Sequence, residues 1–483
     1  MLLLGYSFRA ISAVGAQPVP KKYEVRAVWL TTIHGLDWPK RRAETSQDVR
    51  RQTQELDELL DQLKAAGINT VYFQVRGRGD LVYPSKHEPL SPALFVSRTD
   101  APYDALRYAV DACHSRGMRI SAWLVTLPLG SNSYVKNLGK EAYARKHKDR
   151  CIYYNGEWFM DPADPHTDAH LIEICKEIAC NYDIDGIHLD YIRYPDRSAN
   201  FPDRAAYRRS GSKLTLEQWR RDNISRIVES VFAQLKMVNP ELELSAAPIG
   251  RYRKLREYPK ISWTALESVH QDPVEWESYR IMDALVPMLY FKDDDFYPFV
   301  MDWLSATKLP LIVGIGAYRM LPGEGGWCLE DIVKQIAYVQ SDSLARGMSF
   351  FRAEHVIDPR LGIYRALRDS LFRRPALPLQ GRDSLPSSDI KDLAVSAEKD
   401  SLVLSWKGIS LYPHTYSIYV SQGIEVNALR DLTYTTQSES LSIPLEALKR
   451  DELIHVRVGI YRLRDGAETL TDEEVYYLTD SVK

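Results

Sequence analysis

Residues 186–195 read Gly-Ile-His-Leu-Asp-Tyr-Ile-Arg-Tyr-Pro. Ile187 and Leu189 alternate with His188 and Asp190, then Tyr191, Arg193 and Tyr194 follow, and Pro195 ends the run. Apolar residues at alternate positions make a strand, and this one ends on a carboxylic acid beside an arginine and tyrosines. A carboxyl in such a place can give or take a proton, the guanidinium can bind an oxygen-rich group, and the rings can stack on a sugar face. The ordinary alternative is a buried strand running into a polar turn, with Asp190 paired to Arg193. The other elements of the chain decide between them.

Between residues 25 and 372, short β-rich runs alternate with amphipathic helical patterns. The strands are Val25–Thr31, Thr70–Val75, Arg119–Leu124, Gly186–Asp190, Leu242–Ala247, Ala284–Leu289, Leu311–Ile315 and Met348–Phe351. Helices are predicted over Thr53–Ala66, Tyr103–Arg116, Thr167–Asn181 and Leu216–Met237, the first two ending at Gly67 and Gly117. Eight strand–helix alternations predict an α/β fold, a (β/α)8 TIM barrel. An open doubly wound sheet would usually carry a glycine-rich phosphate loop after its first strand, and Thr31-Thr32-Ile33-His34-Gly35 is not one. Strict alternation takes over after residue 389: Leu402, Leu404 and Trp406 share a face, as do Tyr416, Ile418 and Val420, and Val456, Val458 and Ile460. This predicts a C-terminal fibronectin type III or immunoglobulin-like β-sandwich. The expected organisation is a signal-like or disordered segment 1–22, a barrel 23–372, a Pro/Ser-rich linker 373–389 and an accessory sandwich 390–483.

In a barrel, the residues at the C-terminal ends of the strands converge on one cleft. They include His34, Gln74, Arg76, Asp80, Trp123, Asp190, Tyr191, Arg193, Tyr290, Tyr318, Arg352 and Glu354. Carboxylates, arginines and aromatic plates suit a polyhydroxylated substrate. Glycosidic cleavage uses two carboxyl groups, one to protonate the leaving oxygen and one as base or nucleophile. Asp190 and Glu354 are the expected catalytic pair, with Asp80, Asp37 and Asp161 competing for the second role. Glu354 could instead pair with Arg352 or His355. Asp185 lies at the opposite end of the Asp190 strand and is read as structural.

The stretch Asp161-Pro162-Ala163-Asp164-Pro165-His166-Thr167-Asp168-Ala169-His170 resembles a metal cluster, but helix chemistry explains it more simply: Asp164 as N-cap, Pro165 in the first turn and Asp168 at the positive helix end. Only Asp161 is assigned to the cleft. Metal-dependent hydrolase barrels carry His-x-His after the first strand, and only His34 is there. No metal or cofactor is expected. Five cysteines without a CxxC pair indicate neither a disulfide framework nor a zinc site, and Cys175 and Cys180 read as core thiols.

The formal charge of −3 argues against a nucleic-acid partner, and no apolar run reaches the roughly 20 residues of a membrane span. With 29 Tyr and 10 Trp, the chain is rich in rings that both stack and donate hydrogen bonds. Ala13-Val14-Gly15-Ala16 resembles a signal-peptide cleavage site, though the basic n-region is missing.

From about Glu24 to Arg352 the chain resembles the glycosyl-hydrolase-like 10 family of bacterial envelope proteins. The resemblance rests on Arg26-Ala27-Val28-Trp29-Leu30 with Asp37-Trp38-Pro39, Gly67 through Arg76, Gly79-Asp80 with Tyr83-Pro84-Ser85, Asp161-Pro162, and Tyr182 through Tyr191. It implies a barrel acting on glycans, with members linked to peptidoglycan strands, and it makes Asp190, Arg193, Gln74, Arg76 and Asp80 cleft residues. It supplies no second catalytic carboxylate. The expectation is a secreted or periplasmic glycoside hydrolase, monomeric, with a polysaccharide or peptidoglycan substrate. The rival is a non-catalytic glycan-binding protein using the same aromatic cleft.

Overall fold

The computed structural model describes residues 21–260, 263–381 and 389–478. The signal-like segment, apart from its last two residues, and residues 382–388 of the expected linker lie outside the described residues.

Eight parallel strands close into a barrel: Val25–Leu30, Thr70–Arg76, Arg119–Val125, Gly186–Asp190, Glu243–Ala246, Ala284–Leu285, Leu311–Ile315 and Ala345–Phe351. They are called strands one to eight below. The predicted (β/α)8 fold is the observed one. Alternation sorts their side chains. Val28, Leu30, Val71 and Phe73 join the layer beneath the helices, whereas Ala27, Trp29, Tyr72, Trp123 and Val125 fill the barrel interior. Strand six is shorter than predicted because Pro287 has no N–H for the ladder; two isolated bridges at Met288 continue the pairing to Ile249 and Gly314.

The helices are wedges of the same logic. Ser46–Ala65 buries Leu56, Leu59, Leu60 and Leu63. It begins seven residues before the predicted Thr53 because Thr45 and Asp48 form a capping box. Pro165–Asn181 starts as expected, with Asp164 accepting from the His166 amide at 2.8 Å and Pro165 in the first turn. On that helix Cys175 is buried but Cys180, five residues on and so on another face, is exposed, contrary to its expected core position.

An unpredicted excursion follows strand three. Pro128–Ser131, Glu157–Met160 and Cys151–Tyr154 form a small antiparallel sheet, with the helix Asn132–Leu138 between its first two chain segments. It stands at the C-terminal mouth of the barrel.

The C-terminal region consists of two antiparallel sheets. One holds Asp389–Glu398, Ser401–Ile409 and Ser440–Pro444; the other holds Leu432–Thr436, His414–Gln422, Leu453–Arg462, Glu468–Leu470 and Glu474–Tyr477. Leu402, Leu404 and Trp406 from the first meet Tyr416, Ile418, Val456 and Ile460 from the second in one core. The beginning of the expected linker is not a free tether, since the Glu24 amide donates to the Leu377 carbonyl and the Leu377 amide to the Lys22 carbonyl, both at 2.8 Å, and Arg26 donates to the Arg374 carbonyl at 2.8 Å.

Candidate active site

The barrel interior is built in layers. In the middle layer, Trp29 donates its indole N–H to His188 Nε2 at 3.0 Å, and Tyr72 stacks on the imidazole at 4.2 Å. An indole can only donate, so Nε2 accepts and Nδ1 carries the hydrogen toward Ser245 Oγ, 3.0 Å away. Burial pushes the His188 pKa down to about 3, which keeps the ring neutral. Gly314 lets strand seven approach Trp29; a Cβ there would lie 2.6 Å from the Pro287 carbonyl oxygen and 3.1 Å from the indole. His188 is therefore a packing and orienting group beneath the mouth.

Asp190 sits one layer higher, at the last position of strand four, only 5% exposed. Its Oδ2 accepts from the Trp123 indole at 3.1 Å and its Oδ1 from the Tyr191 amide at 2.7 Å. Tyr191 adopts a left-handed backbone, φ 53°, which folds its amide back onto the carboxyl. Burial raises the Asp190 pKa to about 6, against the positive charges of Arg193 and Arg78 and the two hydrogen bonds. A carboxylic acid in that range can hold a proton near neutrality and release it to a substrate oxygen.

Around it stand rings and cations. Tyr290 lies over Phe351 at 5.4 Å and 30°, and Tyr318 meets both edge-on at 5.7 Å. Arg193 and Arg78 approach the Tyr191 ring at 4.5 and 5.6 Å. Arg193 donates to Asp196 at 3.1 Å, while its buried Nε has no hydrogen-bond partner. Arg78 is paired with Glu157 at 3.1 Å. Glu157 and Asp196 thus reach the Asp190 cluster through one arginine each. Sequence reasoning singled out neither. Glu157 belongs to the unpredicted sheet, and Asp196 lies one residue beyond the proline that ends the motif.

The other named residues divide into cleft and support. Trp123, Tyr191, Arg193 and Tyr290 gather around Asp190. Gln74 is buried and accepts from the Thr32 and Ile33 amides at 2.9 and 2.8 Å, fixing the loop after strand one. Arg76 is sealed inside, where it forms a two-point pair with Glu88 at 2.6 and 2.8 Å and donates to the Val125 and Thr126 carbonyls. Its role there is to hold the end of strand three. Asp80 accepts from the Arg78 amide at 2.7 Å and the Tyr134 hydroxyl at 2.9 Å, and burial raises its pKa. Asp161 closes the turn before a helix, accepting from the Ala163 amide at 2.9 Å, with its pKa raised by burial.

Glu354 stands at the rim beyond strand eight. Arg352 donates to it at 2.8 Å and Lys40 lies 3.5 Å away; burial would raise its pKa, but these partners hold it below the usual value. Buried Asp37 fixes this corner, accepting from Arg352 at 2.6 Å and from the Glu354 amide at 2.8 Å. No hydrogen bond or ion pair among the described residues joins Glu354 to Asp190. Asp185, at the other end of strand four, accepts from the Ile120 amide at 2.8 Å and meets His114 at 3.0 Å, a structural role as expected.

His34 is exposed on the loop after strand one, φ 55°, edge-on to Tyr134 at 6.1 Å. A cleft of about 850 Å³ opens there, between this loop and the excursion after strand three, with Lys40, Arg41, Arg42, Ser133 and Asn137 on its walls.

The chain is similar to glycosyl hydrolase YngK of Bacillus subtilis strain 168, 27% identical over 427 residues, 83% of each chain. It is also similar to glycosyl hydrolase DigH of Escherichia coli K12, 27% identical over 324 residues, 61% of this chain and 74% of that one. Among solved structures, the glycoside hydrolase domain of PgaB (BpsB) from Bordetella bronchiseptica aligns with a TM-score of 0.48 at 17% identity, covering 72% of this chain and 99% of that one. The family model described as glycosyl hydrolase-like 10 matches residues 24–317, more than half of the sequence, and the chain belongs to that family.

Proposed function

We propose that this protein hydrolyses O-glycosidic bonds of a polysaccharide, with Asp190 as the proton donor. The observation that carries the reading is the burial of one carboxylic acid at the mouth of the barrel, with its pKa lifted to about 6. Protonated Asp190 gives its proton to the glycosidic oxygen as the bond to the anomeric carbon breaks, and the sugar develops oxocarbenium character. Glu354 is the proposed second carboxylate; its ionised state suits a base or nucleophile, and a pair with pKa values pushed apart is what acid–base division of labour requires. Tyr191 and Tyr290 supply faces for sugar rings, Trp123 holds the Asp190 carboxyl from within the barrel, and Arg193 binds hydroxyl or anionic oxygens. The proposed substrate is the glycan strand of peptidoglycan, met by a monomer exported beyond the cytoplasm.

Replacing Asp190 by Asn tests the assignment. The variant should still bind glycan but release reducing ends at least about a hundredfold more slowly, as expected for loss of a general acid. The engagement of Glu354 by Arg352 and Lys40 favours one rival, a non-catalytic glycan-binding envelope protein using the same aromatic cleft. Wild-type protein that binds purified wall glycans yet releases no reducing ends from any of them would establish that rival.

A further inference from the structure

Lys40, Arg41 and Arg42 follow one another on the wall of the 850 Å³ cleft, and no Asp or Glu lines it. All three are exposed. Lys40 shares Glu354 with Arg352, whereas Arg41 and Arg42 make no ion pair among the described residues. Beneath them, the Arg98 pKa is lowered by burial and by the charge of Arg42. Arg41 and Arg42, side by side and without an acidic partner among the described residues, repel one another and Lys40, and they do so on a chain whose overall charge is −3. The facing wall offers the Ser133 hydroxyl and the Asn137 amide. Tyr134, on the same wall, donates to Asp80 at 2.9 Å; Asp80 accepts from the Arg78 amide at 2.7 Å; and the Arg78 guanidinium stands over Tyr191 beside Asp190. Tyr134, Asp80 and Arg78 thus form a short line of contacts from the cationic cleft toward the proposed acid.

We propose that this cleft is a subsite for an anionic substituent, a carboxylate or a phosphate, carried on the same glycan whose bond is cut at Asp190. The proposal rests on the hydrolase reading above. Guanidinium forks match both anions with paired N–H donors, and the hydroxyl and amide opposite match the sugar that carries the anion.

The test uses the full-length protein and three ligands: purified peptidoglycan glycan strands, the same strands with their carboxylates reduced to alcohols, and polyglycerol phosphate. Binding is measured by calorimetry at low and high salt. The expected result is about tenfold tighter binding of an anionic ligand than of the reduced strands, weakened by salt and abolished in R41A/R42A. The anionic ligand that binds more tightly identifies the group. Thermal melting of R41A/R42A matching the wild type shows that the exposed substitutions leave the fold intact. Equal binding of native and reduced strands, or a preference that survives in R41A/R42A, overturns the subsite. Reducing-end release separates the two claims. Preference without release keeps the subsite and removes the hydrolase reading; release without preference does the reverse.

Discussion

Asp190 is held where its ionised form is disfavoured, and that has consequences for both rate and stability. As a proton donor it must be neutral, so kcat/KM should fall as pH rises through about 6. A carboxyl whose folded pKa is raised binds its proton more tightly in the folded state. Its contribution to stability is therefore greatest below the ordinary carboxylate range and is lost as pH climbs through about 6. At neutral pH the buried charge destabilises the fold by roughly 2–3 kcal/mol. D190N should flatten the dependence of Tm on pH between about 4 and 6.5, a change readable by calorimetry, while slowing turnover at least about a hundredfold. Trp123 offers a finer probe. Its indole N–H stabilises the ionised carboxylate, so Trp123→Phe should move the alkaline limb of the rate profile upward, by roughly one pH unit. A limb that stays in place would separate Trp123 from the titrating group. Asp190 could be found from sequence because the last residue of an alternating strand points into a barrel mouth. The orientation of Glu354 could not, because it depends on Asp37 capturing both the Glu354 amide and the Arg352 side chain from a distant loop.

At the level of elements, the end of strand three positions the acid. Arg76 clamps the Val125 and Thr126 carbonyls, and Thr126 in turn donates its amide and hydroxyl to the Asp190 carbonyl at 2.9 Å. Glu88 neutralises Arg76 in a site closed to solvent. Burial alone would raise the Glu88 pKa, but Arg76 and His170 hold it down to about 2. Glu88→Gln should leave a buried guanidinium uncompensated and lower stability by about 3–5 kcal/mol, measured by chemical denaturation. Activity should fall with it, because strand three loses its clamp. Arg76 was read as a cleft residue from its place at a strand end, but a bulge between Gln74 and Arg76 changes the register, and its side chain is closed inside the protein. The barrel strands and the longer helices were legible from period alone. The sheet after strand three was not, since its strands have four residues each and present mixed, partly exposed faces with no alternating signal. That sheet carries Glu157 and flanks the cationic cleft, so the unread element is also the one that shapes the rim.

Across the whole molecule, the C-terminal sheets meet the barrel at the end opposite the acid. Arg462 pairs with Glu241 at 2.9 Å just before strand five, Arg464 pairs with Asp183 before strand four, and Arg119, the first residue of strand three, donates to the Arg464 carbonyl at 3.2 Å. Lys22, which precedes strand one, is buried against Glu468 at 2.8 Å, and the Tyr419 hydroxyl donates to the same carboxylate at 2.6 Å. Tyr461 both accepts from the Leu379 amide and donates to the Leu379 carbonyl, at 2.9 and 2.8 Å. The contacts to Lys22, Arg119, Asp183 and Glu241 lie at the N-terminal ends of the strands, the face of a barrel that serves stability, whereas the strand C-termini carry chemistry. The module therefore closes the bottom of the barrel, and among the described residues it makes no hydrogen bond or ion pair with the cleft. Glu468→Ala should leave Lys22 buried without its partner and lower the stability of the chain by about 3 kcal/mol, seen as a drop in Tm. The same variant, assayed well below its Tm, should keep wild-type kcat/KM and its wild-type pH profile, because no step at Asp190 passes through this interface. A change in the pH profile of E468A would show instead that the sheets couple to the acid through the barrel.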